Sequence, residues 1–187
     1  MSFFNINSKY SHWLFIVIGF SLAIITSTSA IAAEGVSDYK QAMPKSIMID
    51  KVVVDKSART LQLLSDNEII KSYHIALGGN PVGHKQQQGD KRTPTGSYIL
   101  DYKNEKSKFY RSIHVSYPNA ADKARAKSRG VSPGGDIMIH GQKNGFGHLA
   151  AMNQQRDWTD GCIAVTDNEM DEIMAAVEIG TPIEIVE

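Results

Sequence analysis

The chain has 187 residues, 42% of them hydrophobic, with twenty Lys plus Arg balanced by twenty Asp plus Glu, six His and a single Cys. This is the make-up of one globular domain, or one domain with a tail, whose core is large enough to form. Zero net charge without a block of like sign argues against nucleic-acid binding, and one thiol excludes an internal disulfide.

In chain order, the N-terminus reads as a targeting segment. Lys9 is the only charge in the first 33 residues and precedes the apolar run 13–25 (WLFIVIGFSLAII), followed by small polar residues and Ala30-Ile31-Ala32. A positive start, a short apolar centre and an A-x-A exit are the order of a secretory signal peptide, expected over residues 1–33. The run is short against the roughly 20 residues of a membrane-spanning helix. An uncleaved N-terminal anchor is the alternative, and would be the protein's only membrane contact. No cysteine stands at the exit of the run to accept a lipid.

Residues 34–46 read as a short lead-in and 47–187 as the folded domain. Strands are expected at 47–54, 59–64 and 68–77, separated by turns at 55–58 and 65–67, on β-branched enrichment and turn residues at short intervals. Gly78-Gly79-Asn80-Pro81 ends this meander. The polar, Gly/Pro-punctuated stretch 82–96 reads as a long loop, a length that is uncommon unless functional or disordered. Strands resume at 97–102 and 112–116, Asn119 caps a helix through Arg129 that Gly130 ends, and 136–140 (DIMIH) is a further strand. Thr166 with Glu169 forms a capping box for a last helix, with Gly180 as its C-terminal cap and Met170, Ile173, Met174 and Val177 as its buried face. Residues 182–186 close the chain as a strand. The class is mainly β with a few helices.

Two strand-like segments carry chemistry. In 136–140, alternation places Ile137 and Ile139 on one face and Met138 with His140 on the other; in 162–165 it places Ile163 and Val165 opposite Cys162 and Ala164. A lone cysteine is by default a small buried hydrophobe. In an exported chain it is flagged as reactive or intermolecular. The 22-residue offset between His140 and Cys162 rules out a contact within one element, so their meeting requires the two segments to be neighbours. If they are, the imidazole activates the thiol and later protonates a leaving amine. Gly161 lets a carbonyl approach backbone N–H groups as an oxyanion hole, and a backbone carbonyl at Gly141 fixes the His140 tautomer without an acidic third residue.

His140-Gly141 followed by Thr159-Asp160-Gly161-Cys162 resembles the active-site signature of the YkuD-type L,D-transpeptidases. The stretches Asn80-Pro81-Val82-Gly83 and Gly89-Asp90-Lys91-Arg92-Thr93-Pro94-Thr95-Gly96-Ser97-Tyr98 resemble that family's G-D-x-x-T-P-x-G-x-Y region. The resemblance implies a sandwich-like arrangement of mixed sheets, Cys162 as nucleophile, His140 as proton carrier, and no metal or organic cofactor. It also implies an envelope location, most simply the periplasm, and action on peptidoglycan stem peptides. The acceptor is then a second stem, an envelope lipoprotein, or water; with water the protein would be a hydrolase that trims stems, cuts a cross-link or detaches a lipoprotein from the wall. Two positions depart from the pattern: Asp160 replaces the usual His, and Ala164 an Arg often found two residues after the cysteine. Asp160 is expected to meet a substrate ammonium or to serve only as a solvated or turn-capping residue. Thr159, Arg92 and His84 are further candidate substrate contacts, the last two within a basic loop with Lys85 and Lys91. Trp158 walls the pocket or merely packs. His74 and His114 read as core or surface residues. His148 lacks the spacing of a metal site. A non-catalytic wall-binding module is the remaining alternative.

Overall fold

The computed structural model describes residues 47–187. The expected signal segment 1–33 and the expected lead-in 34–46 lie outside them. The meander forms as β1 (Lys51–Asp55), β2 (Thr60–Ser65) and β3 (Glu68–His74). Val52 and Val54, then Leu61 and Leu63, alternate into the core. Asp66 and Asn67, both at positive φ, make the two-residue turn between β2 and β3, the left-handed pair a tight hairpin needs. β1 begins later than the expected residue 47. The four residues before it join no ladder, although Ile49 is buried.

The next strand, β4 (Gly96–Ser107), is twice its expected length. Its polar second half, from Lys103 onward, carries no apolar alternation. It is held instead by backbone pairing to β5 (Tyr110–Val115) in a hairpin. Helix α1 (Ala120–Ser128) starts at the expected Asn119, whose side chain and that of Asp122 cap each other's backbone N–H. β6 (Met138–His140) follows, then a 3-10 turn (Gly147–Leu149) leading into the one-turn α2 (Ala150–Asn153), too short to leave a periodic signal. After β7 (Ile163–Ala164), α3 (Asp167–Ala176) begins at the predicted Thr166/Glu169 capping box. The helix stops at an extended Val177, earlier than expected, and Gly180, at φ +98°, turns the chain into β8 (Pro182–Val186).

The eight strands form one mixed sheet in the order β3-β2-β1-β8-β4-β5-β6-β7, with β1/β8 and β6/β7 parallel and the other pairs antiparallel. β4 pairs with β8 through Gly96 to Ile99 and with β5 beyond, so the sheet bends along this strand. It curls until its edges meet. Ala76, just past β3, exchanges both backbone hydrogen bonds with Ala164 of β7, at 2.9 and 2.8 Å. The sandwich-like expectation is thus met by a sheet that covers its own edges, which otherwise present unpaired backbone groups. One hydrophobic cluster fills the interior, and α3 packs on β5 and β6. Met170, Ile173, Met174 and Val177 are the buried face of that segment, each contributing about 1.5–3 kcal/mol by area. Among the described residues no helix is long and apolar enough to cross a membrane.

Candidate active site

The closing of the sheet places the two reactive segments side by side. β6 and β7 are adjacent and parallel, with Ile139 opposite Ile163 and His140 opposite Ala164. Ile137, Ile139, Ile163 and Val165 all point into the core. By alternation His140 and Cys162 lie together on the other face, diagonally related across the two strands.

His140 is 3% exposed, and its Nδ1 lies 2.6 Å from the Gly141 carbonyl oxygen. A carbonyl only accepts, so Nδ1 carries the proton and Nε2 is left as the basic atom. Phe109 packs tilted on the ring at 4.7 Å between centroids, and Trp158 edge-on at 5.7 Å. Burial among these groups lowers the His140 pKa to about 4, against an opposing hydrogen bond to Gly141. The imidazole is therefore neutral at neutral pH. Unfolding exposes an ordinary imidazole near pKa 6.5, so below that value the unfolded chain binds a proton that folded His140 does not. Stability from this residue is complete above pH 6.5 and is lost as pH falls toward 4, by about 2–3 kcal/mol at pH 4.5. The expected result is a drop in urea midpoint from pH 7 to 4.5 that is smaller in His140→Gln. Equal drops in both proteins would refute the assignment.

The Cys162 thiol donates to the Asp136 carbonyl oxygen at 3.5 Å. Asp136 adopts a left-handed conformation, φ 54°, at the entry to β6. Burial pushes the thiol pKa up, a hydrogen bond from the Met138 backbone opposes this, and the Asp160 and Asp136 carboxylates raise it further. Thiol and imidazole are thus both neutral at rest, which calls for proton removal during attack rather than a standing thiolate.

The segment before the cysteine is held from both sides. Thr159 Oγ1 donates to the Cys162 carbonyl at 2.8 Å and accepts from the Gly161 N–H at 3.1 Å. The Thr159 backbone pairs with Leu77 and Gly79. The hydroxyl expected to contact substrate is therefore engaged in shaping the Cys162 turn. The Gly161 N–H, expected as part of an oxyanion hole, donates to that hydroxyl. What Gly161 supplies is room: φ is +128°, and a Cβ there would stand 2.7 Å from the Arg92 carbonyl oxygen.

The loop 82–96 is built around Asp90. Its carboxylate accepts from Lys85 Nζ at 2.8 Å and from the backbone N–H groups of Gln86, Gln87 and Arg92. Burial raises its pKa, but these donors together hold it below the usual carboxylate value. Lys85 is buried, so the loop does not offer it to solvent as a basic contact. His84 lies against the Thr95 backbone and 3.2 Å from Asp122, tying the loop to α1. The Arg92 guanidinium is directed back to the His84 carbonyl at 3.4 Å. Both residues secure the loop, whereas only the Arg92 backbone adjoins Gly161. Asp160 is exposed beside the thiol.

Phe109 and Asp136 carry no local sequence signal for a place in the site, whereas the Asp90 anchor lies in the Gly89-Asp90 motif stretch. Among the described residues no group of three His, Cys, Asp or Glu is placed to hold a metal ion.

The profile of the L,D-transpeptidase catalytic domain, YkuD, matches residues 49–185. YafK of Escherichia coli (strain K12), which bears a provisional L,D-transpeptidase name, is 30% identical over 143 residues, or 73% of this chain and 55% of YafK. The chain thus spans about half the length of the curated relative it matches. Among solved structures, the helical cell shape determining protein Pgp2 from Campylobacter jejuni superposes with a TM-score of 0.55 at 24% identity, covering 76% of this chain and 49% of Pgp2. Bd1075 of Bdellovibrio bacteriovorus does so with a TM-score of 0.53 at 21% identity, covering 78% and 50%. These two likenesses establish the shared fold.

Proposed function

The chain belongs to the L,D-transpeptidase (YkuD) catalytic-domain family, and from that premise we propose that it is an exported cysteine acyltransferase acting on peptidoglycan stem peptides. The observation that carries the reading is the shared face of β6 and β7, which aligns Cys162 with a His140 whose Nδ1 is already tied to Gly141. Export rests on the signal-like segment 1–33.

In the proposed reaction, His140 Nε2 takes the Cys162 proton as sulfur adds to a stem-peptide carbonyl. The backbone N–H of Cys162 then stabilises the developing oxyanion. The C–N bond then breaks, and the imidazolium returns its proton to the leaving amine. A thioester on Cys162 remains. An incoming amine gives up a proton to His140, adds to the thioester and displaces the thiolate, which recovers that proton.

Water as acceptor is the second reading. Ala164 is fully buried and paired on both sides at the position where the family pattern often carries Arg. The site thus lacks the cation that would help hold a second stem, and the same thioester would then be hydrolysed or a tethered lipoprotein released. Incubation with purified tetrapeptide muropeptides, read by mass spectrometry, tests both. Cross-linked dimers indicate transfer, shortened monomers indicate hydrolysis, and unchanged substrates would refute acyl transfer on these stem peptides.

A further inference from the structure

We propose that Asp167 is a positioning residue for His140, acting through the single peptide unit that joins Gly141 to Gln142. The Gly141 C=O and the Gln142 N–H belong to the same planar group and point in opposite directions. At one end the carbonyl oxygen accepts from His140 Nδ1 at 2.6 Å. At the other end the N–H donates to Asp167 Oδ1 at 2.7 Å. A carboxylate on the N–H side draws the peptide dipole toward more negative charge on its oxygen, which strengthens the bond to the imidazole. An acid thus reaches the histidine without touching it.

The surroundings show that this approach is specific. A Cβ at Gly141 would lie 2.6 Å from Asp167 Oδ1 and 2.9 Å from Tyr110 Cβ, and a Cβ at Gly147 would collide with Asp167 Oδ2. Two glycines therefore make room for one carboxylate. Gln142 is fully buried, with Nε2 donating to the Val165 carbonyl at 2.7 Å and Oε1 accepting from Asn153 Nδ2 at 2.9 Å, so the peptide plane is also held from its far side. Asp167 is the first residue of α3, directly after the Thr166 cap. At that place the helix dipole favours its negative charge. The cysteine strand and the histidine's orienting acid thus lie within one short segment, 162–167.

The inference rests on the reading of His140 as the proton carrier. Its test uses the whole chain with Asp167→Asn and Asp167→Ala, observing the His140 ring by 15N and 1H NMR beside steady-state kinetics on muropeptides. Asp167→Asn keeps an oxygen to accept from Gln142 but removes the charge. It is expected to shift the His140 Nδ1 proton upfield and to lower kcat about tenfold at unchanged KM, with Asp167→Ala lower still. Wild-type kcat per folded molecule together with an unshifted Nδ1 resonance in Asp167→Asn would overturn the proposal. So would a loss explained entirely by a lowered Tm. A shifted resonance in a protein whose wild type turns over no muropeptide supports the positioning role while refuting the proposed reaction, so the two failures are distinguishable.

Discussion

Replacing Cys162 by alanine is expected to reduce muropeptide turnover by about 10⁴-fold or more, with little change in Tm. The thiol is the only sulfur nucleophile in the chain, and every step of the proposed reaction passes through it. Its contribution to folding is small. Sγ makes only weak bonds, donating to the Asp136 carbonyl at 3.5 Å and accepting from the Met138 backbone, while the turn around it is held by Thr159 and Gly161. Alanine leaves those bonds in place. Intact-protein mass spectrometry of the wild type with tetrapeptide donor should show the acyl adduct on the 162 side chain, and the alanine variant none. A variant that retained turnover would exclude a thioester, and one that retained wall binding without any adduct in the wild type would favour the binding-module reading.

Replacing His140 by glutamine is expected to lower kcat about 10³-fold. Glutamine can still offer an N–H toward the Gly141 carbonyl, so the β6 backbone is disturbed little, but it has no basic atom to accept the thiol proton. The resting electrostatics make this loss severe. The thiol pKa is raised by burial and by Asp160 and Asp136, so thiolate is scarce at neutral pH, and the neutral imidazole must remove the proton during attack. Alkylation of Cys162 by iodoacetamide gives an independent reading. The wild-type thiol should react more slowly at pH 7 than free cysteine, with its rate rising through an alkaline pKa. A fast, pH-independent rate between pH 5 and 8 would show a standing thiolate and refute the neutral pair.

The departures at 160 and 164 acquire different meanings in the fold. Ala164 lies inside the seam where the curled sheet closes, accepting from and donating to Ala76. A small side chain suits that place. Asp160 stays in solvent next to the thiol and raises its pKa, so its charge bears on reactivity as well as on any substrate ammonium.

Much of the architecture was legible along the chain because it is encoded over short distances. The Thr166/Glu169 capping box, the alternation in 52–54, 61–63 and 137–139, and β8 were each readable from neighbouring residues. The polar half of β4 and the short α2 were not, since pairing with a distant strand and packing on other elements define them. The same division applies to the site. The sequence supplied the lone thiol, the His140-Gly141 pair and the faces on which they lie, because side-chain direction in a strand follows from a period of two. Whether the two segments meet, and which internal hydrogen bonds Thr159, His84 and Arg92 make, only the tertiary structure decides. The side-by-side placing of segments 136–140 and 162–165 depends on β6 and β7 becoming parallel neighbours. Thr159, His84 and Arg92 each bond backbone groups of the Cys162 turn or the 82–96 loop, which need hydrogen-bond partners that no ladder supplies. Asp167 is invisible as a partner of His140 in sequence for the same reason: its link runs through a peptide group that the fold alone orients.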